Sequence, residues 1–100
     1  MKHTGGAMSP FAAWMMLKGL ETMDLRVRAQ TASAAMLAEA LEARGNLESV
    51  IYPGSESHPQ HALTQRQMGA GGTMLALDCG TKARAFGLLN ALKLFTISNN

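Results

Sequence analysis

The chain has little of what marks secreted, membrane-spanning or nucleic-acid-binding proteins. Cys79 is its single cysteine, which excludes a disulfide framework and a cysteine-rich metal site and favours a reducing compartment. The sequence has no run of about 18 apolar residues, and its first residues are not followed by the apolar core of a signal peptide. Charged residues make up 16% of the chain, with a formal net charge of +2, and the basic ones are scattered. We therefore expect a cytoplasmic protein with neither a membrane nor a nucleic acid as partner.

Apolar residues, in contrast, are abundant. Hydrophobic residues make up 47% of the 100 residues, so disorder is not expected. A chain of this length is close to the minimum for a self-sufficient core and buries roughly 60–70% of its unfolded surface. The low share of charge indicates that some apolar surface meets another domain or subunit.

Two helices are predicted in the N-terminal half. Ser9 followed by Pro10 is a typical helix start, because a serine oxygen accepts a free backbone N–H and proline suits the first helical position. Gly19 is expected to end or bend this helix. A longer helix then starts at Thr22 or Asp24 and closes at residues 44–45, an arginine followed by a glycine. Its apolar stripe is rich in alanine, which suits close approach of another helix: Leu25, Ala29, Ala32, Met36 and Ala40.

The remainder alternates strands with helices. Strands are predicted at residues 47–52, 73–79 and 94–97. A helix is predicted over residues 59–68, and another begins after a Thr81 cap. Helices placed between strands favour a two-layer α/β fold, with the helices packed on one face of the sheet.

Local motifs give no catalytic set. His58 and His61 are spaced like metal ligands, but a zinc site needs a third ligand, and the nearest candidates are far away in sequence. We therefore expect His58 to cap the helix that follows it. Residues 69–72, a glycine-rich loop, lead from a helix to a strand, the reverse of a phosphate-binding loop, and are predicted to be a flexible turn. Cys79 is expected to be buried and inert, and Arg26 and Arg28 to be solvated.

Several strings are not required by core packing. They are residues 9–23 (SPFAAWMMLKGLETM), 52–54 (YPG), 57–61 (SHPQH) and 67–68 (QM). Together they resemble the carboxy-terminal part of the pyridoxal-phosphate enzymes of cysteine and methionine metabolism, the cystathionine synthase/lyase and homoserine sulfhydrylase family. Within the longest string, Lys18 and Glu21 look most like the O-succinylhomoserine sulfhydrylase branch. Residues 26–31 and 97–100 are similar to the same branch.

The resemblance implies a fold and a domain organisation. The chain would be a single partial domain, residues 1–100, from the small C-terminal domain of a fold-type I pyridoxal-phosphate enzyme, with a mostly antiparallel sheet and helices on one face. Residues 1–23 would form the interdomain segment and a short helix. Residues 24–100 would form the C-terminal α/β domain, truncated at its C-terminus.

The resemblance also implies an activity for the parent enzyme. That enzyme would use pyridoxal 5'-phosphate to replace the succinate of an activated homoserine with sulfide, giving homocysteine for methionine biosynthesis. Its substrate would be a small amino acid, and the parent would be a homotetramer. The lysine that forms the Schiff base would lie in the preceding domain, and the arginine that binds the substrate carboxylate would lie beyond Asn100.

This chain would then have no catalytic, cofactor-binding or metal-binding residue and would be inactive alone. Asn100 is the one residue expected near the substrate. Two alternatives stay open: a fragment of a related cystathionine γ-synthase or γ-lyase, and a non-catalytic interaction module that uses the alanine-rich stripe as its contact surface.

Overall fold

The computed structural model describes residues 7–98 of the chain. Over these residues the elements run in the predicted order of two helices, then strand, helix, strand, helix. They are α1 (Pro10–Glu21), α2 (Met23–Arg44), β1 (Ser49–Ile51), α3 (His61–Met68), β2 (Ala76–Asp78) and α4 (Lys82–Ala91). Both strands are shorter than predicted.

Helix α1 begins as its sequence predicts. Ser9 is the N-cap and its Oγ accepts a hydrogen bond from the Ala12 backbone N–H at 3.2 Å, with proline in the first turn. Gly19 does not end the helix, which continues to Glu21. A glycine in a helix interior weakens it by only about 1 kcal/mol relative to alanine, and Lys18 bonds Glu21 across it at 2.9 Å.

Helix α2 faces the sheet with a different set of alanines from the predicted stripe. It ends at Gly45, whose φ of 63° is the left-handed conformation of a helix C-cap, as the sequence predicts. Its buried residues are Ala34 and Ala38, whereas every member of the stripe is exposed. Alanines lie on several faces of this helix, so their spacing alone does not identify the face that packs on the sheet.

The two strands form an antiparallel pair. Val50 lies opposite Leu77, and Ser49 lies opposite Asp78. The predicted strand at residues 94–97 is wrong, because no strand is assigned there in the described part of the chain. A strand exists only where a neighbour accepts and donates its backbone hydrogen bonds, and the described sheet has two strands. The predicted fold class is confirmed: α2 packs on β1 of a small antiparallel sheet.

The core is small. Its buried cluster is Ala34, Ala38 and Tyr52, with Val50 and Leu75 packed against it. A compact protein of this mass is expected to expose about 5,500 Å², whereas the chain exposes 8569 Å². Its radius of gyration is 18.2 Å, against about 13 Å for a compact domain of this length. The chain thus leaves much more surface uncovered than a self-contained domain does.

Candidate functional site

The string at residues 52–54 lies together with the glycine-rich loop in one tightly packed corner of the fold. Tyr52 is buried and its hydroxyl donates a hydrogen bond to the Gly72 carbonyl at 3.0 Å. A Cβ added to Gly71 would lie 2.5 Å from the Gly54 nitrogen and 2.6 Å from Tyr52 Cζ. No side chain fits at that distance, so this contact requires glycine. The loop is predicted to be flexible, but Gly71 is buried and held by its neighbours.

The histidines take structural positions. His58 Nδ1 accepts a hydrogen bond from the Gln60 backbone N–H at 3.1 Å. The N-cap of α3 is Gln60 and receives no side-chain cap hydrogen bond, so the prediction that His58 caps this helix is wrong. That helix begins two residues later than predicted, at His61. The Nδ1 atom of His61 is buried and has no hydrogen-bond partner among the described residues. Within residues 7–98 no three histidine, cysteine or acidic side chains come close enough together to hold a metal ion.

The described residues do not fit the pyridoxal phosphate that the resemblance implies. A lysine that carries this cofactor needs a desolvated setting with partners for the ring and the phosphate. Lys18 is bonded to Glu21, Lys82 lies 5.7 Å from the centre of the exposed Phe86 ring, and Lys93 is exposed. The glycine-rich loop leads into β2 and not into a helix N-terminus, so it offers no helical N–H groups to a phosphate.

The two arginines that could have bound phosphate are engaged by nearby groups of α1, α2 and the junction between them. Arg28 Nε donates to both carboxylate oxygens of Asp24 at 2.9 Å. The hydrogen bond and then the charge of that carboxylate raise the pKa of the exposed Arg28 guanidinium. Arg26 donates to the Thr22 hydroxyl at 3.2 Å and to the Gly19 carbonyl at 2.7 Å. Arg28 therefore joins two turns of α2, and Arg26 joins the start of α2 to the end of α1.

Helix α1 presents an apolar surface on all sides. Phe11 is 70% exposed and Trp14 is 52% exposed, with their ring centres 6.0 Å apart. Four further large apolar side chains of this helix are each more than half exposed: Met15, Met16, Leu17 and Leu20. A helix that is apolar all round is typical of a protein interior. This surface is therefore suited to contact with other protein.

A second uncovered apolar surface is a groove between α2 and α4, with β2 as its floor. Its volume is about 870 Å³. Leu37 and Leu41 lie on the α2 wall, and Leu88 and Leu89 lie on the α4 wall. Cys79 lies in the floor and is buried, as expected.

The described residues thus assemble contact surfaces rather than a set of reacting groups. Asn100, the residue expected near a substrate, lies outside the described residues. Sequence reasoning missed the groove, although the low charge fraction indicated some apolar contact surface. It also missed the contact between Gly54 and Gly71, for which the only signal was the density of glycine in residues 69–72. No helix among those described is long and apolar enough to cross a membrane.

The sequence matches known proteins along its whole length. Residues 1–100 match the model of the Cys/Met metabolism PLP-dependent enzyme family. The O-succinylhomoserine sulfhydrylase of Mycobacterium tuberculosis is 50% identical over 105 residues, which is all of this chain and 26% of that relative. The corresponding enzyme of Pseudomonas aeruginosa is 41% identical over 101 residues, all of this chain and 25% of the relative. Cystathionine gamma-lyase of Bacillus subtilis is 36% identical over 97% of this chain and 26% of the relative.

The fold matches the same group of enzymes. The crystal structure of cystathionine gamma synthase from Xanthomonas oryzae pv. oryzae, in complex with aminoacrylate and cysteine, aligns with a TM-score of 0.82 and 34% identity. The alignment covers 91% of this chain and 24% of that structure. The chain therefore spans about a quarter of the length of the relatives it matches. From sequence and fold together, it belongs to the family of pyridoxal-phosphate-dependent enzymes of cysteine and methionine metabolism.

Proposed function

We propose that this chain is the C-terminal-domain part of a pyridoxal-phosphate-dependent O-succinylhomoserine sulfhydrylase, and that it is inactive alone. The observation that carries the proposal is the 50% identity with the Mycobacterium tuberculosis sulfhydrylase along the whole chain, against 36% with the Bacillus subtilis lyase. In this proposal residues 1–23 are the interdomain segment, and α1 packs against the larger domain. The apolar surface of α1 supports that placement.

The parent enzyme would bind a succinylated homoserine and release homocysteine. Pyridoxal phosphate, when bound, supplies the electron sink that lets succinate leave and sulfide add at the γ-carbon. The cofactor's lysine and the arginine for the substrate carboxylate would lie in the other three-quarters of the parent. The exposed settings of Lys18, Lys82 and Lys93 support this. Asn100 is proposed to lie near the substrate.

The uncovered surface is also consistent with a part of a larger enzyme. Relative to a compact protein of the same mass, the chain exposes an excess of roughly 3,000 Å². Stable interfaces between subunits or domains remove areas of this order from water. A larger domain of the same polypeptide, together with neighbouring subunits of a homotetramer in the cytoplasm, would cover it.

The test is a chimera in which residues 1–100 replace the matched segment of the Mycobacterium tuberculosis sulfhydrylase. We expect the chimera to bind pyridoxal phosphate and to release succinate from O-succinylhomoserine when sulfide is supplied. The isolated chain should do neither. A visible aldimine spectrum, trapped by borohydride at one lysine of the isolated chain, would contradict the proposal.

The related γ-synthase or γ-lyase activity is the second candidate, because the solved cystathionine gamma synthase shares the fold with 34% identity. The coding sequence on either side of this chain allows the parent itself to be expressed. Supplying cysteine in place of sulfide separates the activities, since a γ-synthase makes cystathionine and a sulfhydrylase makes homocysteine. Cleavage of cystathionine without an added acceptor would identify a γ-lyase.

A non-catalytic interaction module is the remaining alternative, and one observation favours it: the alanine-rich stripe of α2 is exposed along its length. Ala32→Glu, placed in the middle of the stripe, should abolish partner binding in that case. If the parent turns over an activated homoserine equally well with and without this substitution, the stripe is not the functional surface.

A further inference from the structure

The junction between α1 and α2 is a single residue. Helix α1 ends at Glu21 and α2 begins at Met23, so the backbone angles of Thr22, with φ at −109° and ψ at 4°, set most of the angle between the two helices. These two dihedral angles are the soft degrees of freedom of a residue, and the Thr22 side chain forms no helix-cap hydrogen bond that would hold them. The angle between the helices therefore depends on other contacts that cross the junction.

The side chain of Arg26 makes such a contact. From near the start of α2, its Nη2 donates to the Gly19 carbonyl at 2.7 Å and its Nε donates to the Thr22 hydroxyl at 3.2 Å. Its backbone N–H also donates to the Thr22 carbonyl at 3.0 Å. A guanidinium is planar and its donors point in fixed directions, so both side-chain hydrogen bonds form together only over a narrow range of angles between the helices.

The same guanidinium caps the end of α1. The Gly19 carbonyl is among the last four of α1, and such carbonyls have no donor within their own helix. The negative end of the helix dipole lies there, so a positive charge beside it is stabilising. A swing of α1 away from α2 would therefore remove both a hydrogen-bond donor and a favourable charge from the end of α1.

Arg28 provides a comparison within the same helix. Its Nε donates to both carboxylate oxygens of Asp24 at 2.9 Å, and both residues belong to α2. These hydrogen bonds do not depend on the angle between α1 and α2. Arg26 therefore links the two helices, whereas the hydrogen bonds of Arg28 stay within one.

The angle matters because α1 and α2 belong to different parts of the enzyme in the proposed function. Helix α1 packs against the larger domain, whereas α2 packs on β1 and belongs to the C-terminal domain. Since α2 has 22 residues and is roughly 33 Å long, a tilt of about 10° moves its far end by about 6 Å. Misplacement of a reacting group by about 1 Å can lower a rate by about a hundredfold.

We propose that Arg26 is a positioning residue of the enzyme. Its guanidinium holds α1 and α2 at one angle, and it thereby holds the C-terminal domain in the orientation in which the amino-acid substrate binds. This role rests on the proposed function, in which residues 1–23 join the two domains. Arg26 then contributes to substrate binding through the angle between the helices and not through contact with the substrate.

The angle between the helices is measured in this chain by pulsed electron paramagnetic resonance. In a Cys79→Ala background, Met16→Cys and Glu39→Cys place one nitroxide label on each helix, at exposed positions. We expect the distance distribution between the labels to become at least about twice as wide in Arg26→Ala, because the fixed donor directions are lost. Arg28→Ala is the matched control and should leave the width unchanged. An Arg26→Ala distribution as narrow as that of the control would overturn the proposal.

Arg26→Lys is the second variant, for use if Arg26→Ala loses its helix content. Lysine keeps the positive charge near the Gly19 carbonyl, but it has no second donor group in the position of Nε for the Thr22 hydroxyl. The distance distribution should therefore again be wider than that of Arg28→Ala. A folded Arg26→Lys chain with the width of the control would overturn the proposal.

The functional consequence is measured in the Mycobacterium tuberculosis chimera. We expect Arg26→Ala to raise the KM for O-succinylhomoserine by at least about fivefold, because a domain held at the wrong angle misplaces the groups that bind this substrate. The affinity for pyridoxal phosphate should not change, since the proposed function places its lysine in the larger domain. Arg28→Ala should change neither value. A lower kcat with an unchanged KM would indicate only a smaller amount of folded enzyme and would overturn the positioning role.

The two measurements also separate the role of Arg26 from the proposed function. A chimera without further substitution that folds but lacks sulfhydrylase activity counts against the proposed function and not against the fixed angle. The distance distributions then decide on Arg26: a wider distribution in Arg26→Ala supports it as the residue that fixes the angle, and an unchanged one overturns it. A wider distribution together with an unchanged KM in an active chimera would overturn its role in substrate binding.

Discussion

The corner around Tyr52 and the helix α1 differ in how much of their packing and hydrogen bonding is provided by the chain itself. At the corner, the Tyr52 hydroxyl has its acceptor and two glycine backbones touch. In α1, the side chains of Phe11 and Trp14 are each more than half exposed to solvent. One short chain thus contains a closely packed corner and a helix whose large apolar side chains are exposed.

This difference separates two kinds of sequence constraint. The corner is constrained by contacts inside the chain, so substitutions there should be felt by the chain in isolation. Under the proposal that α1 packs against a larger domain, substitutions of its exposed apolar side chains should be felt only in the longer enzyme. The predictions below test this distinction, beginning with the largest expected effect.

Trp14→Ala should separate the two settings most strongly. In the chimera, where α1 is proposed to be buried, removing the indole should lower the free energy of unfolding by about 3–5 kcal/mol. In the isolated chain the same change should stay within about 0.5 kcal/mol, as for other surface substitutions. Urea unfolding followed by far-ultraviolet circular dichroism measures both values. Equal effects in the two settings would show that α1 has no partner in the enzyme.

Gly71→Ala should destabilise the isolated chain by about 3 kcal/mol, because its methyl group overlaps the Gly54 backbone and overpacking on this scale strains the fold. Gly19→Ala is the control, since an added Cβ there has nothing within 4 Å. That substitution should stabilise α1 by about 0.5–1 kcal/mol. Thermal unfolding of both variants gives the comparison. A tolerated Gly71→Ala would mean that the corner is not tightly packed.

Tyr52→Phe should destabilise the isolated chain by about 1–2 kcal/mol, because the Gly72 carbonyl loses its donor in a part-buried site. Ser33→Ala removes a hydroxyl that donates to the Ala29 carbonyl at 3.0 Å in an exposed position. It should change the free energy of unfolding by less than about 0.5 kcal/mol. Urea titrations of the two variants are compared directly. Equal losses of unfolding free energy in the two variants would show that the Tyr52 hydrogen bond stabilises the chain no more than an exposed one.

Thr81→Ala should have the smallest of these effects, about 1 kcal/mol, through loss of the helix cap. Thr81 Oγ1 accepts the Arg84 backbone N–H at 3.3 Å. Thr22, the N-cap of α2, makes no such bond from its side chain, so Thr22→Ala should destabilise the chain by less. Helix content measured against temperature distinguishes them. The opposite order would indicate that the α1–α2 junction depends on the Thr22 hydroxyl.

The features that were predicted correctly are those fixed by neighbours in sequence. The caps at Ser9 and Thr81 and the glycine after Arg44 follow from local hydrogen bonding and backbone geometry, which a short window contains. The burial of Ala34 and Ala38 does not follow from such a window, because alanines occur on several faces of α2 and only the position of the sheet selects one. The prediction of a strand at residues 94–97 was wrong for the same reason. The apolar side chains there suit a sheet, but a strand also needs a neighbouring strand, distant in sequence, to pair with its backbone.

The candidate site could be predicted only where its sequence resembles short strings of the enzyme family. Residues 52–54 and 57–61 identified the family, but the packing role of residues 52–54 emerged only when the fold brought them beside the glycine-rich loop. The groove is a property of three elements separated in sequence, so no local pattern could reveal it. Asn100 remains a prediction.

The junction between α1 and α2 has a consequence for how such a domain would be joined to a larger one. A single residue, Thr22, separates the two helices, and the guanidinium of Arg26 reaches back over it to the Gly19 carbonyl at 2.7 Å. A swivel at this joint would break that bond. This hydrogen bond therefore helps to fix the angle between α1 and α2. Because α2 packs on β1, which Tyr52 follows, a domain bound to α1 would also determine the orientation of the Tyr52 corner.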